Sequence, residues 1–249
     1  PASGGSTAPS AATSAQLLSS RRVAVDSRGN FYISGNYHVR MVTASGIITS
    51  LPGCSHVLAP VSGPTLSFLG GVAVDGNGTV FFVDTGNHRI RKIDHDGDVS
   101  TLAGNGTQGF GGDGGPAVNA MLNNPSDVAV DAAGNVYIAD GANLRIRKVT
   151  PDGTITTVAG TGTGGFSGDG GPATAARLLA SSVAVTASGT LFIAEAANHR
   201  VRKISPDGII STVAGTGTNG FSGDGGPPGS AMLSSPSDVD VDRWGNLYL

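Results

Sequence analysis

Asp127 to Gly160 reads DVAVDAAGNVYIADGANLRIRKVTPDGTITTVAG. It holds four short apolar runs, Val128–Asp131, Val136–Asp140, Arg145–Val149 and Thr154–Val158, separated by three turn signals. The runs are rich in Val, Ile, Tyr and Thr, the residues that suit a pleated surface. In the first turn, Asp131 can bond its own following backbone, and Gly134 can take the positive φ that other residues resist. The second turn contains Asn143, and the third is Asp152-Gly153, a hairpin signal. Four strands joined by short reversals make one antiparallel sheet.

The unit recurs, which has to be recognised before any other assignment. The anchor Val-x-Val-Asp appears at Val23, Val72, Val128 and Val239, with Val183-Ala-Val-Thr186 as a variant, at spacings of 49, 56, 55 and 56 residues. The repeats run 23–71, 72–127, 128–182 and 183–238, with a partial fifth over 239–249. Residues 1–22 read as the tail of a preceding inter-blade linker, because Ala12-Thr-Ser-Ala-Gln-Leu17 resembles Ala173-Thr-Ala-Ala-Arg-Leu178. The first unit is atypical: His38 replaces an arginine and its linker lacks the glycine-rich segment of the others.

The inner runs are apolar on both sides. Val128 and Val130 alternate with Ala129, and Tyr137 and Ala139 with Val136 and Ile138. A sheet with one wet face would alternate with polar residues. These sheets therefore need cover on both faces, as radially packed blades provide. The expected fold is all-β, a β-propeller of four-stranded antiparallel blades.

The run Val-Ala-Val-Asp, Gly-Asn, Tyr-Ile-Ala-Asp, followed by Asn87-His88-Arg89, Asn143-Leu144-Arg145 or Asn198-His199-Arg200, resembles the NHL repeat over residues 23–249. The resemblance implies a propeller, typically of six blades with four strands each. Six blades at this spacing need roughly 330 residues, so a chain of 249 is expected to be a fragment or an open arc. Members of that family include RNA-binding propellers and a zinc-dependent amidating lyase, whose histidine and tyrosine ligands match no position here.

Composition sets bounds. Charged residues make up 13% and glycines number 40, which suits a turn-dense all-β chain. No apolar run approaches the ~18 residues of a membrane span, and no signal peptide is visible at the start. A net charge of −3 speaks against DNA and gives no sign of RNA. Ten of the 15 basic residues fall on third strands, among them Arg40, Arg91, Arg147 and Arg202. A phosphate-binding stripe is one reading. Pairing with Asp84, Asp140 and Glu195 at the second-strand ends is favoured, because the cations repeat in step with those acids. The single cysteine, Cys54, forms no intrachain disulfide, and with His56 it supplies too few ligands for a metal.

The repeats from 72 onward carry glycine-rich insertions beginning at Gly104, Gly160 and Gly215, all on the rim that also holds the second turns. Each opens with Gly-x-Gly-x-x-Gly, but a dinucleotide site needs a helix directly behind it in a βαβ unit, and here more glycines follow among antiparallel strands. In the first two copies, Gly-Gly-Pro followed by Ala-x-x-Ala-x-Leu predicts a short helix, with Pro228-Gly229 the weakest former. Phe110, Phe166 and Phe221 share one register. They are candidates for a ligand-receiving ring, or anchors that order a flexible loop by burying an aromatic face. Asp113, Asp169 and Asp224 are candidate rim contacts. One aspartate per loop is too few for Ca²⁺, which wants six to eight oxygens, so capping is favoured.

The position just before each first strand does not repeat: it is Arg22, Gly71, Asp127, Ser182 and Asp238. Variation at the mouth of a rigid scaffold is where function is built, which makes Arg22, Asp127 and Asp238 candidate binding residues. No nucleophile motif and no His-Glu-x-x-His occur, and Glu195 is the only glutamate. The expected function is a non-catalytic scaffold presenting its loops to a protein, peptide or glycan, without catalytic residues, metal or cofactor. The alternatives are a metal-assisted lyase or hydrolase at the channel mouth using Asp127 and Asp238, and an RNA-binding propeller. A secreted or cell-surface setting is expected.

Overall fold

Each repeat is folded back by its own side chains. Asp131 Oδ1 accepts the backbone N–H groups of Ala133 and Asn135 at 3.0 and 2.8 Å, and Oδ2 accepts Asn135 Nδ2 and the Tyr137 hydroxyl at 2.8 and 3.2 Å. The second reversal is a single 3₁₀ turn, Gly141–Asn143, that ends on Leu144 in the left-handed region. Its sisters end on His88 and His199 in the same conformation. In the third reversal only Gly153 has positive φ (+86°), so the hairpin is a tight turn closed by a left-handed glycine.

These reversals build the architecture of a computed structural model that describes residues 10–17, 19–35, 37–51 and 66–249. Blade I comprises Arg22–Val25, Phe31–Ser34, Val39–Val42 and Ile47–Ser50; blade II comprises Leu69–Val74, Val80–Asp84, Arg89–Ile93 and Val99–Ala103. Blade III comprises Asp127–Val130, Val136–Asp140, Arg145–Val149 and Ile155–Ala159; blade IV comprises Ser182–Val185, Leu191–Glu195, Arg200–Ile204 and Ile210–Ala214. Each is antiparallel with neighbouring strands in sequence order, and Asp240–Val241 pairs with Leu247–Tyr248 beyond blade IV. Blade I carries an extra outer strand, Ser10–Ala11, on Ile47 and Ile48.

The first strand of each blade packs on the first strand of the next, so these strands surround an axis. The apolar clusters lie between blades. Ala129, Tyr137 and Ile146 of blade III meet Val183, Ile193 and Ile210 of blade IV, and Phe81 and Ile90 of blade II meet Val128, Ile138 and Ile155 of blade III. Further clusters join blades I and II and cover the far side of blade IV. The flank of blade I turned away from blade II leaves Val23 and Val25 exposed, at 59% and 54%.

The insertions are straps. Gly114 N–H donates to Ile155 O at 2.8 Å, Ile155 N–H returns to Gly115 O at 3.0 Å, and Ala117 N–H donates to Gly153 O at 2.8 Å, so the strap leaving blade II is stitched to the outer edge of blade III. The predicted helices are single 3₁₀ turns, Ala117–Asn119, Ala173–Ala175 and Pro228–Ser230. The third forms despite Pro228-Gly229, because one 3₁₀ turn asks little of helix propensity. Ala12–Ser14 repeats the pattern, with Ala12 N–H on Gly46 O at 2.8 Å. Cys54 and His56 lie outside the described residues. No helix among the described residues is long and apolar enough to cross a membrane.

If the cores lie between blades, truncating Ile146 (fully buried) should cost far more than truncating Ile47 (39% exposed). Ile146→Ala is expected to lose about 2–5 kcal/mol in urea unfolding, and Ile47→Ala less than about 1 kcal/mol. Equal losses would contradict the packing.

Candidate functional site

The start of each first strand brings one non-repeating residue to the rim of the axis. Ser182 Oγ lies 2.6 Å from Asp127 Oδ2 and 2.6 Å from Asp238 Oδ1, bridging three successive blades. Val183 N–H donates to Asp127 Oδ2 at 3.0 Å, and Val239 N–H donates to Ser182 Oγ at 3.3 Å. On the far side, Arg22 NH1 sits 3.3 Å from Asp238 Oδ2, and NH2 donates to Ser237 O at 3.1 Å. Gly71 completes the set: a Cβ built there would fall 1.9 Å from Asp127 Oδ1, so only glycine leaves room for that carboxylate.

A hydroxyl has one proton to give. With both carboxylates ionised, one of the two 2.6 Å contacts would set oxygen lone pairs against each other. A proton on Asp127 removes the conflict: its carboxyl donates to Ser182, and Ser182 donates to Asp238, which faces the Arg22 cation. Burial (6% exposed) pushes Asp127 up to about 6, with a small addition from Asp238, against the pull of Ser182, Val183 N–H and Arg22. The arrangement can hold a proton at the axis and present Arg22 and the half-exposed Asp238 to a ligand.

The rim residues are placed differently. Asp113 Oδ1 accepts Arg147 NH2 at 2.7 Å and Nε at 3.2 Å, while Oδ2 accepts the Thr157 hydroxyl at 2.7 Å. Asp169 does the same one blade on, with Arg202 NH2 at 2.5 Å and the Thr212 hydroxyl at 2.6 Å. Phe110 lies under the Arg145 and Arg147 guanidiniums at 3.8 and 4.9 Å, and Phe166 under those of Arg200 and Arg202 at 4.0 and 4.9 Å. Each strap therefore clamps the next blade with a ring and a carboxylate. Phe221 is 84% exposed and Asp224 meets no partner among the described residues.

The other side of the clamp is a buried ion pair. Arg147 NH1 faces Asp140 Oδ2 at 3.4 Å, Arg202 NH1 faces Glu195 Oε1 at 3.7 Å, and Arg91 Nε donates to Asp84 Oδ2 at 3.0 Å. Burial raises the Asp140 and Glu195 carboxyls, against hydrogen bonds from Asn143 and Asn198 and the charges of Arg147 and Arg202. The outer arginines are tied down too: Arg89, Arg145 and Arg200 donate to Asn105 O, Thr161 O and Thr216 O. The arginines of the basic stripe in blades II–IV are thus engaged within the protein. His88 and His199 act through Nδ1, which accepts Asn124 N–H and Ser235 N–H at 3.2 and 3.1 Å.

Sequence reasoning named Arg22, Asp127 and Asp238 but passed over Ser182, the link between them. It named Phe110, Phe166, Asp113 and Asp169, and it paired the third-strand arginines with second-strand acids, but it did not join Arg147 and Arg202 to Asp113 and Asp169, which lie 33–34 residues before them. No group of three or more His, Cys, Asp or Glu among the described residues is placed to hold a metal ion. A cleft of about 410 Å³ between blades I and II is lined by Asp26, Asp75 and Asp94, whose carboxylates already accept backbone N–H groups of their own turns.

Comparison with known proteins places this geometry in a lineage. The teneurin NHL domain family matches residues 104–165. Mouse Teneurin-4 is 34% identical over 132 residues, covering 47% of this chain and 5% of that protein. Human Teneurin-4 is 30% identical over 224 residues, 78% of this chain and 8% of that protein. The chain thus spans less than a tenth of these relatives. Among solved structures, virginiamycin B lyase from Staphylococcus aureus superposes with a TM-score of 0.58 at 15% identity, covering 96% of this chain and 65% of that one. An auxiliary nutrient binding protein from Bacteroides thetaiotaomicron gives 0.58 at 13% identity, covering 92% and 65%. At such identity these two show the fold alone.

Asp127 has a folded value (about 6) above its ordinary 3.8, so between those pH values the native state binds more protons than the unfolded state. Its contribution to stability therefore falls as pH rises through that window. Asp127→Asn should gain on the wild type by up to about 3 kcal/mol between pH 4 and pH 7 in urea unfolding; a difference that does not change with pH would contradict the shared proton. Separately, Arg147→Met should cost about 3–5 kcal/mol by stranding Asp140, and adding Asp140→Leu should recover most of it.

Proposed function

We propose that this chain, which belongs to the NHL-repeat β-propellers, is a non-catalytic interaction scaffold whose insertion-bearing rim and axis mouth receive a protein, peptide or glycan. The observation that carries the reading is the match of residues 104–165 to the teneurin NHL domain. It is supported by the division of labour among the charges. The repeating arginines and carboxylates of blades II–IV are matched to each other, whereas the axis position changes along the chain, as Arg22, Gly71, Asp127, Ser182 and Asp238. Half-exposed Phe110 and Phe166 would add apolar contact around that mouth. Kinship with teneurins also supports a secreted or cell-surface setting.

A second reading is favoured by the Asp127–Ser182–Asp238 bridge: a metal-assisted lyase or hydrolase whose carboxylates sit at the axis mouth. RNA binding is the weaker alternative, because the arginines it would use are engaged within the fold.

The test is capture of extracellular proteins and arrayed glycans by the purified chain, with Arg22→Ala/Asp238→Ala beside the wild type. Both groups are at least partly exposed, so the variant should melt within a few degrees of wild type while losing on the order of tenfold in affinity. Unchanged capture would remove the axis mouth from the contact surface. Stoichiometric bound zinc or calcium in purified protein, lost in the same variant, would transfer support to the enzymatic reading.

A further inference from the structure

In blades I and III and in the partial fifth unit, the first turn is closed by the same pair. An asparagine four residues after the turn aspartate, Asn30, Asn135 or Asn246, donates from Nδ2 to the aspartate Oδ2 at 2.8 Å. The hydroxyl of Tyr32, Tyr137 or Tyr248 donates to the same oxygen. Blade II departs from this plan. Its turn reads Asp75-Gly-Asn77-Gly-Thr79-Val-Phe81, so threonine stands where the asparagine belongs, phenylalanine replaces the tyrosine, and an asparagine appears two residues early.

The backbone of that turn is unchanged. Asp75 Oδ1 accepts Asn77 N–H and Thr79 N–H, both at 2.9 Å, Gly78 N–H donates to Asp75 O at 3.1 Å, and Gly78 takes a φ of +87°. Only the side chains differ. Asp75 Oδ2 loses both of its side-chain donors, so the exchange does not serve the turn. Asn77 is exposed, and neither its side-chain amide nor the Thr79 hydroxyl makes a hydrogen bond among the described residues. Asn77-Gly78-Thr79 is also the acceptor pattern for an N-linked glycan: asparagine two residues before a hydroxyl, with a residue other than proline between them. The chain has a second such tripeptide, Asn105-Gly106-Thr107, and the structure separates the two. In the strap, Asn105 Nδ2 donates to Asn119 O at 3.2 Å, Oδ1 accepts Thr107 N–H at 2.8 Å, and the backbone oxygen accepts Arg89 NH2 at 2.7 Å. A sugar on that nitrogen would push apart two limbs of the strap, whereas a sugar on Asn77 displaces nothing.

We propose that Asn77 is a modification site carrying an N-linked glycan. The inference rests on the secreted or cell-surface setting proposed above, in which the chain meets a glycosyltransferase and its lipid-linked sugar pyrophosphate. Asn77 Nδ2 attacks the anomeric carbon of that donor. The C1–N bond forms, the C1–O bond to the pyrophosphate breaks, the lipid pyrophosphate leaves, and the amide gives up one proton. The antiparallel strand order puts the first turns at the end of each blade opposite the straps and second turns. A bulky, hydrophilic glycan on Asn77 therefore projects from the end that carries no strap, and it leaves the rim and the axis mouth open to a partner.

The test directs the 249-residue chain into the secretory pathway of a eukaryotic cell line with a cleavable signal, then treats the secreted product with an amidase that releases N-linked glycans. A single shift in mobility is expected, with Asn77 converted to aspartate in the peptide map. Asn77→Gln and Thr79→Ala should each abolish the shift, Thr79→Ser should keep it, and Asn105→Gln should leave it unchanged. A secreted chain without a glycan, or a glycan that survives Asn77→Gln, would overturn the assignment of the site. A glycan on the directed chain but none on the protein isolated from its own cells would place the failure in the setting and overturn the modification with it.

Discussion

A sheet that is apolar on both faces cannot be stable alone in water, and that constraint governs this molecule. Val128, Ala129, Tyr137 and Ile138 leave blade III no flank suited to solvent, so one side is buried against blade II and the other against blade IV. What would be the core of an ordinary domain is here distributed into the gaps between sheets. The repeat length, the short reversals within a blade and the longer connections between blades all follow from stacking such sheets around an axis.

Apolar contact alone would allow one blade to slide on the next, since it has no direction. Register is supplied by the straps. A carboxylate and an aromatic ring carried on the insertion of one blade seize an arginine of the following blade, and that arginine is already paired to a buried acid of its own. A buried ion pair adds little net stability but penalises misplacement, because a slipped partner leaves a charge without water or counterion.

Much of this was legible in the sequence. The Val-x-Val-Asp spacing and doubly apolar strands gave blades, and the in-step cations and acids gave their pairing. Other features were not, for a physical reason. The meaning of Asp127 depends on a hydroxyl 55 residues away and on a glycine in the preceding blade, and no local pattern joins those positions. The sequence favours Phe110 as a loop anchor and Asp113 as a cap over ligand contacts, but it does not show what they hold, which is Arg145 and Arg147 of the next blade. The Ala-rich segments carry helix propensity, yet each forms only a single 3₁₀ turn. The strap is instead held by strand-like bonds to the next blade's edge, which leaves room for a single turn.

The central claim is that neighbouring blades share one core. Hydrogen exchange on Ile193→Ala tests it most directly, because this side chain belongs to blade IV but is fully buried in the cluster shared with blade III. The account predicts that amides of Val136–Asp140 in blade III lose protection together with those of Leu191–Glu195 in blade IV. Loss confined to blade IV, with blade III as protected as in the wild type, would contradict it.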